Sequence, residues 1–221
     1  SCYNDIGLAL AAEKGSADYV AFGTMFSSPT KPDAVMVTSL MTYWYPGVQE
    51  AIQQTREVFP DTPILLGGIY ASLCEDHAKK HSGADLVVTG PGEGRVHDLV
   101  AEVTGRAMTR RFDPQDLDTY PYPAFDLQHW IPYISILTSR GCPFSCAYCA
   151  SRYLNPKCMR RSPEGVVEEI KYWHRKHRVV DFAFYDDALL VDSETHALPI
   201  LEGIVRRGLP LFFHTPNAVH I

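Results

Sequence analysis

No stretch of the chain is apolar over the length of a membrane span, so a spanning helix is not expected. A surplus of positive charge is also missing. Lys and Arg number 20 against 26 Asp and Glu, the net charge is -6, and a general nucleic-acid binder would need a basic face. The first residues, Ser1-Cys2-Tyr3-Asn4-Asp5, have neither the basic nor the apolar region of a secretory leader, and there is no initiating Met. The expectation is a cytoplasmic protein, excised from something longer, without membrane or nucleic-acid partners. Two signatures are absent as well. There is no GxGxxG dinucleotide fingerprint and no HExxH zinc helix. Low-complexity composition is not found either: 46% of the residues are hydrophobic and 21% charged, which is enough to bury a core.

Cysteine is present, and it is unevenly placed. Three of the six cysteines stand in Ser139-Arg140-Gly141-Cys142-Pro143-Phe144-Ser145-Cys146-Ala147-Tyr148-Cys149. Thiols spaced this tightly do not make a disulfide framework; they suit a metal site in a reducing compartment. An apolar run, 133–137, leads into them, and 133–138 is a predicted strand. Three soft thiolates on one loop can face one centre and leave a fourth position open, which suits an iron–sulfur cluster. A different reading adds Cys158 to Cys142, Cys146 and Cys149 as a closed four-thiolate zinc site, making the protein a structural or interaction module. Cys2, Cys74 and Cys158 are otherwise read as structural or incidental.

Elsewhere the pattern alternates strands and helices. A short helix is expected over 4–14, a strand over 33–40, and a helix opened by Pro46 whose buried face holds Val48, Ala51, Ile52, Thr55, Val58 and Phe59. Further strands are expected at 63–66 and 85–89, and helices over 70–81 and from Gly94 to about Thr104. Such alternation predicts a parallel sheet covered by helices, with ligands at the carboxyl ends of its strands. Thr42-Tyr43-Trp44-Tyr45, Gly67-Gly68 and Gly90 to Gly94 would lie there. They serve either a flat cofactor or plain tight turns and packing. Cys74, His77 and His81 share a helical face, but a solvated face explains them better than a metal does.

Residues 108–132 are rich in Pro and Asp without periodicity and read as a connector lying against a surface. Beyond them Ser162 should cap a helix with Pro163 at its first position, running to about Lys176 on a buried face of Val166, Val167, Ile170 and Trp173. A strand over 181–185 ends in Asp186-Asp187, Ser193 should cap another helix disturbed by Pro199, and 209–214 is a third strand. Arg152, Lys157, Arg160 and Arg161 follow the cysteine loop, either as complements to an anionic ligand or as surface charges.

A strand followed by Cys-x3-Cys-x-aromatic-Cys, a helix, and a second strand with an acidic end resembles the radical S-adenosylmethionine (SAM) superfamily. The stretches TSLMTYWYPGVQEAI (38–52), LLGGIYASLC (65–74), TSRGCPFSCAYCASR (138–152) and DFAFYDDALLVD (181–192) are similar to its branch with an N-terminal cobalamin (B12)-binding-like domain. The resemblance covers roughly 33 to 221. It implies an α/β fold: a Rossmann-like open parallel sheet over 1–107, a Pro-rich linker over 108–132, and the first three βα units of a radical SAM barrel over 133–221. It implies an enzyme in which Cys142, Cys146 and Cys149 ligate a [4Fe-4S] cluster. SAM would bind the open iron, Tyr148 would pack near its adenine, and Asp186 or Asp187 would lie near its methionine amino group. One electron, from a donor such as flavodoxin or ferredoxin, would release a 5′-deoxyadenosyl radical. Cobalamin is the further cofactor the branch implies, but its Asp-x-His-x-x-Gly loop is absent here. The substrate and the catalytic residues that would choose it are not legible.

Overall fold

The computed structural model describes residues 23–24, 33–107, 109, 112–128 and 130–217. The helix expected over 4–14 lies outside them. The chain divides into two compact units, Ser1–Arg110 and Arg111–Ile221. Among the described residues no helix is long and apolar enough to cross a membrane.

The first unit is a four-stranded sheet in the order β1-β2-β3-β4, formed by Gly23–Thr24, Val35–Ser39, Ile64–Gly67 and Leu86–Val87. β2, β3 and β4 are parallel, and β1 runs antiparallel to β2. Helices α1 (Tyr45–Val58), α2 (Gly68–Leu73), α3 (Glu75–His81) and α4 (Val96–Thr104) connect or follow the strands. Successive strand residues face opposite sides, so both faces must be apolar if both are covered. They are. Val35, Val37, Ile64 and Leu66 pack with Val48, Ile52, Tyr70 and Ala78, whereas Leu65 and Met36 pack with Leu86, Leu99 and Val103. This is the α/β layer with a parallel sheet that the alternating pattern predicts.

Two local expectations are corrected. Val58 does not belong to the buried face of α1; it sits in the last turn and is exposed. The helix expected over 70–81 is two helices, because Cys74 leaves helical geometry at φ -128°, ψ 47°.

The second unit carries three parallel strands in the order β5-β8-β9: Ile134–Ile136, Asp181–Phe184 and Phe212–His214. Two-residue strands β6 (Ser139–Arg140) and β7 (Met159–Arg160) form a separate antiparallel pair. The helices are α5 (Ser151–Leu154), α6 (Pro163–His177) and α7 (Ala197–Arg206). Ile134, Ile136, Phe182 and Phe184 meet Val166, Val167, Ile170 and Trp173 of α6 and Ile200 and Ile204 of α7. The ring of Phe213 stacks on Phe182 and Phe184 at 5.8 and 5.4 Å between centroids. Part of the Pro-rich stretch lies along α6: Phe125 meets Trp173, Tyr122 meets Tyr172, and Asp126 pairs with Lys176 at 2.7 Å.

α6 begins as its sequence dictates. Pro163 supplies a pre-set φ, and the Ser162 hydroxyl accepts a hydrogen bond from Gly165 N at 3.0 Å. Asp118 adds a second tie, accepting from Ser162 N at 2.7 Å. Ser162→Ala is expected to cost about 1 kcal/mol, the ordinary value of such a cap, read as a lowered midpoint of thermal unfolding. Ser193 opens only a 3-10 turn, and α7 starts after His196 with Pro199 in its first turn.

Candidate functional site

The cysteine loop hangs from the carboxyl end of β5. Leu137 is exposed, and Thr138 and Ser139 turn inward and are buried. Ser139 and Arg140 then pair with Arg160 and Met159, so the β6–β7 ladder closes residues 141–158 at their base. Gly141 makes this closure possible. Its φ is +84°, and a Cβ there would stand 2.6 Å from the carbonyl oxygen of Lys157 and 3.0 Å from that of Asn155.

Within the loop, Cys149 N donates to the carbonyl of Cys146 at 3.0 Å, and α5 follows at once. Cys146, Cys149 and Cys158 are exposed and Cys142 is half-buried; all four are free thiols, as is Cys74. The Cys149 thiol is held below its usual pKa, first by hydrogen bonding from Ser151, against the opposing charge of Asp187. Ser151 N reaches its sulfur at 3.5 Å. Tyr148 is 94% exposed and covers nothing in this structure.

The donor chemistry suits a thiolate-held cluster: three free thiols on one closed loop, with the last of them biased toward thiolate. The sulfurs are not drawn together. Among the described residues no three His, Cys, Asp or Glu side chains are grouped to hold a metal ion, with or without Cys158. The same holds for Cys74, His77 and His81; His77 Nδ1 instead shares a hydrogen bond of 2.8 Å with the Tyr70 hydroxyl.

The two aspartates at the end of β8 differ sharply. Asp187 is exposed, and Asp186 is 2% exposed. The Asp186 carboxylate accepts from Thr138 N at 3.1 and 3.2 Å, from Thr138 Oγ1 at 2.8 Å and from Ser139 Oγ at 2.6 Å. His196 Nε2 lies 2.7 Å from Thr138 Oγ1. Burial, and then the charge of Arg160, push the His196 pKa down. Sequence reasoning missed Thr138, Ser139 and His196. A pair of hydroxyl residues directly between an apolar strand and the cysteine loop was the available signal.

The basic residues after the loop are mostly committed to the protein. Arg160 pairs with Asp192 at 3.1 Å and donates to the carbonyl of Val191. Arg161 is paired with Glu169, and Lys157 reaches Gln115 at 3.3 Å. Arg152 is exposed and has no polar side-chain partner among the described residues.

At the carboxyl ends of the first sheet, Gly68 is fixed by packing. Its φ is +87°, and a Cβ would meet Thr38 Oγ1 at 2.4 Å. Cβ atoms at Gly90 and Gly92 would meet nothing within 4 Å. Leu40, Met41 and Tyr43, in the connection that follows β2, are exposed.

Residues 28–100 match the B12 binding domain family model. Over 216 residues the chain is 25% identical to an uncharacterized methyltransferase of Pyrococcus horikoshii, covering 86% of this chain and 47% of that protein. Over 160 residues it is 30% identical to the anaerobic magnesium-protoporphyrin IX monomethyl ester cyclase of Synechocystis, covering 60% of this chain and 32% of the other. The structure of the radical S-adenosylmethionine methyltransferase TsrM from Kitasatospora setae, with cobalamin and a [4Fe-4S] cluster bound, superposes with a TM-score of 0.65 over 92% of this chain and 44% of that one. The expected B12-binding-like domain is matched in sequence over residues 28–100. With TsrM the sequence identity is 20%, so that likeness is one of fold. The chain spans less than half the length of the curated relatives named here. A separate 35-residue match, 60% identical to thiamine-phosphate synthase of Nitrosococcus oceani, covers 16% of each chain and bears on that stretch alone.

Proposed function

We propose that the chain is the cofactor-handling part of a B12-type radical SAM enzyme. Cys142, Cys146 and Cys149 would hold a [4Fe-4S] cluster, with SAM at its open iron. The observation that carries this reading is the closed cysteine loop at the end of β5, the first strand of a parallel sheet, downstream of a B12-binding-domain match. The cluster, when bound, supplies the electron that cleaves the C5′–S bond of SAM to a 5′-deoxyadenosyl radical.

The residues of the chain bind, orient and shield. Thiolates are the soft donors such iron takes, and Ser151 favours the thiolate of Cys149. Arg152 has a guanidinium to offer the SAM carboxylate, and Asp187 a carboxylate for its amino group. Tyr148 presents an open ring face to adenine. The strands β5, β8 and β9 lie side by side in chain order, as in the opening strands of a βα barrel. Cobalamin would meet the open glycines at 90 and 92 and the exposed Leu40, Met41 and Tyr43, without the histidine of the absent loop. The expected electron source is a carrier of the flavodoxin or ferredoxin type.

The test is anaerobic reconstitution of the full-length protein with iron and sulfide, then SAM and dithionite. A brown protein with about four irons per chain that forms 5′-deoxyadenosine supports the reading. A colourless protein with stoichiometric zinc would sink it in favour of the four-thiolate site.

A further inference from the structure

We propose that the adjacent aspartates ending β8 have separate tasks: Asp186 is a positioning residue that fixes the base of the cysteine loop, and Asp187 is the carboxylate left to face the cofactor. The first half stands on hydrogen-bond geometry alone. The second half rests on the cluster-and-SAM reading above.

The Asp186 carboxylate is engaged chiefly through Oδ1, which accepts from both hydroxyls, while Thr138 N is shared between Oδ1 and Oδ2. Three donors, Thr138 N, Thr138 Oγ1 and Ser139 Oγ, converge on its two oxygens, and its side chain is buried. Since the Thr138 hydroxyl proton goes to Asp186, His196 must donate from Nε2 to Thr138 Oγ1. One carboxylate therefore ties together the end of β5, the end of β8 and the residue that opens α7. It also accepts from the two residues that precede Arg140 and Gly141, so the path of the chain into Cys142 is set there. Asn217 Nδ2 donates to the carbonyls of Tyr185 at 2.8 Å and Asp186 at 3.4 Å and so holds the backbone at this strand end. A buried carboxylate engaged by backbone and hydroxyl donors makes charge-assisted hydrogen bonds, stronger than neutral ones. Asp187, one residue on at the same strand end, is exposed.

The experiment compares Asp186→Asn, Asp187→Asn and Ser139→Ala in the full-length protein by three readouts. These are amide hydrogen exchange before reconstitution, iron per chain after it, and the Kd for SAM per loaded cluster. Asp186→Asn should speed exchange over 138–142 by about tenfold or more, while exchange in β2 and β3 stays unchanged, because the opening is local. Its iron content should fall by more than half. Asp187→Asn should keep wild-type exchange and iron and weaken SAM about tenfold, the scale of one lost charge-assisted bond. Asp186→Asn with unchanged exchange and full iron overturns the positioning role. Full loading with SAM binding lost in Asp186→Asn and kept in Asp187→Asn reverses the assignment. Should Asp186→Asn fail to fold, Ser139→Ala removes a single arm and should show the same localised exchange at smaller size; no localised change there overturns the role. A wild-type protein that takes up no iron would refute the cluster reading, while the exchange data would still decide the part played by Asp186.

Discussion

Cys146→Ala should leave the full-length protein colourless after anaerobic reconstitution, with iron near background and no 5′-deoxyadenosine. Two thiolates on a loop do not hold a four-iron cluster whose other ligand is exchangeable SAM. The loss should not come from unfolding. Cys146 is exposed, and a substitution at such a site away from caps and buried pairs ordinarily moves stability by about 0.5 kcal/mol or less. Thermal midpoints of variant and wild type should therefore agree. Cys158→Ala is the informative partner. Its sulfur is also exposed, 4.0 Å from the carbonyl of Gly141 at the loop base. The radical SAM reading expects this variant to keep its iron, whereas a four-thiolate zinc site would lose its metal in both variants. A Cys146→Ala protein that reconstitutes wild-type iron and cleaves SAM would end the assignment.

What the sequence made legible is what local chemistry decides. Ser162-Pro163 starts a helix wherever it stands, and the spacing of Val166, Val167, Ile170 and Trp173 marks the face that must be covered. The three cysteines mark a candidate site by spacing alone. The missed features depend on partners far away in the chain. The β6–β7 ladder consists of two residue pairs, too short to leave a periodicity, yet it closes the loop on which the site stands. Nothing in Tyr185-Asp186-Asp187 says which aspartate is buried. The choice is made by Thr138 and Ser139, 48 and 47 residues earlier. Arg160 and Arg161 look alike beside Arg152, and only their partners Asp192 and Glu169 withdraw them from ligand binding. Cys74 interrupts a run whose apolar spacing, Tyr70, Ala71 and Ala78, reads as continuous helix.

The Arg161–Glu169 pair supports the second large expectation. The Glu169 side chain is 3% exposed and that of Arg161 12%, so solvent cannot stand in for either partner. Arg161 also donates to the carbonyls of Leu137 and Gly165 at 3.3 Å each, joining the end of β5 to the first turn of α6. Glu169 receives a second bond from Trp173 Nε1 at 3.4 Å. Arg161→Met leaves a carboxylate buried among apolar side chains with that one weak donor, and should destabilise the second unit by about 3–5 kcal/mol. Replacing both, Arg161→Met with Glu169→Leu, removes the orphaned charge and should recover most of the loss, since a buried ion pair and an apolar pair of similar volume are often close in free energy. Urea unfolding followed by tryptophan fluorescence measures this where it matters, because Trp173 touches Glu169 directly. The single variant should also load less iron than its stability alone explains, for Leu137 then loses its tie just before the cysteine loop. A single variant within 1 kcal/mol of wild type by the same measurement would mean that water reaches Glu169 and that the pair is a surface bridge.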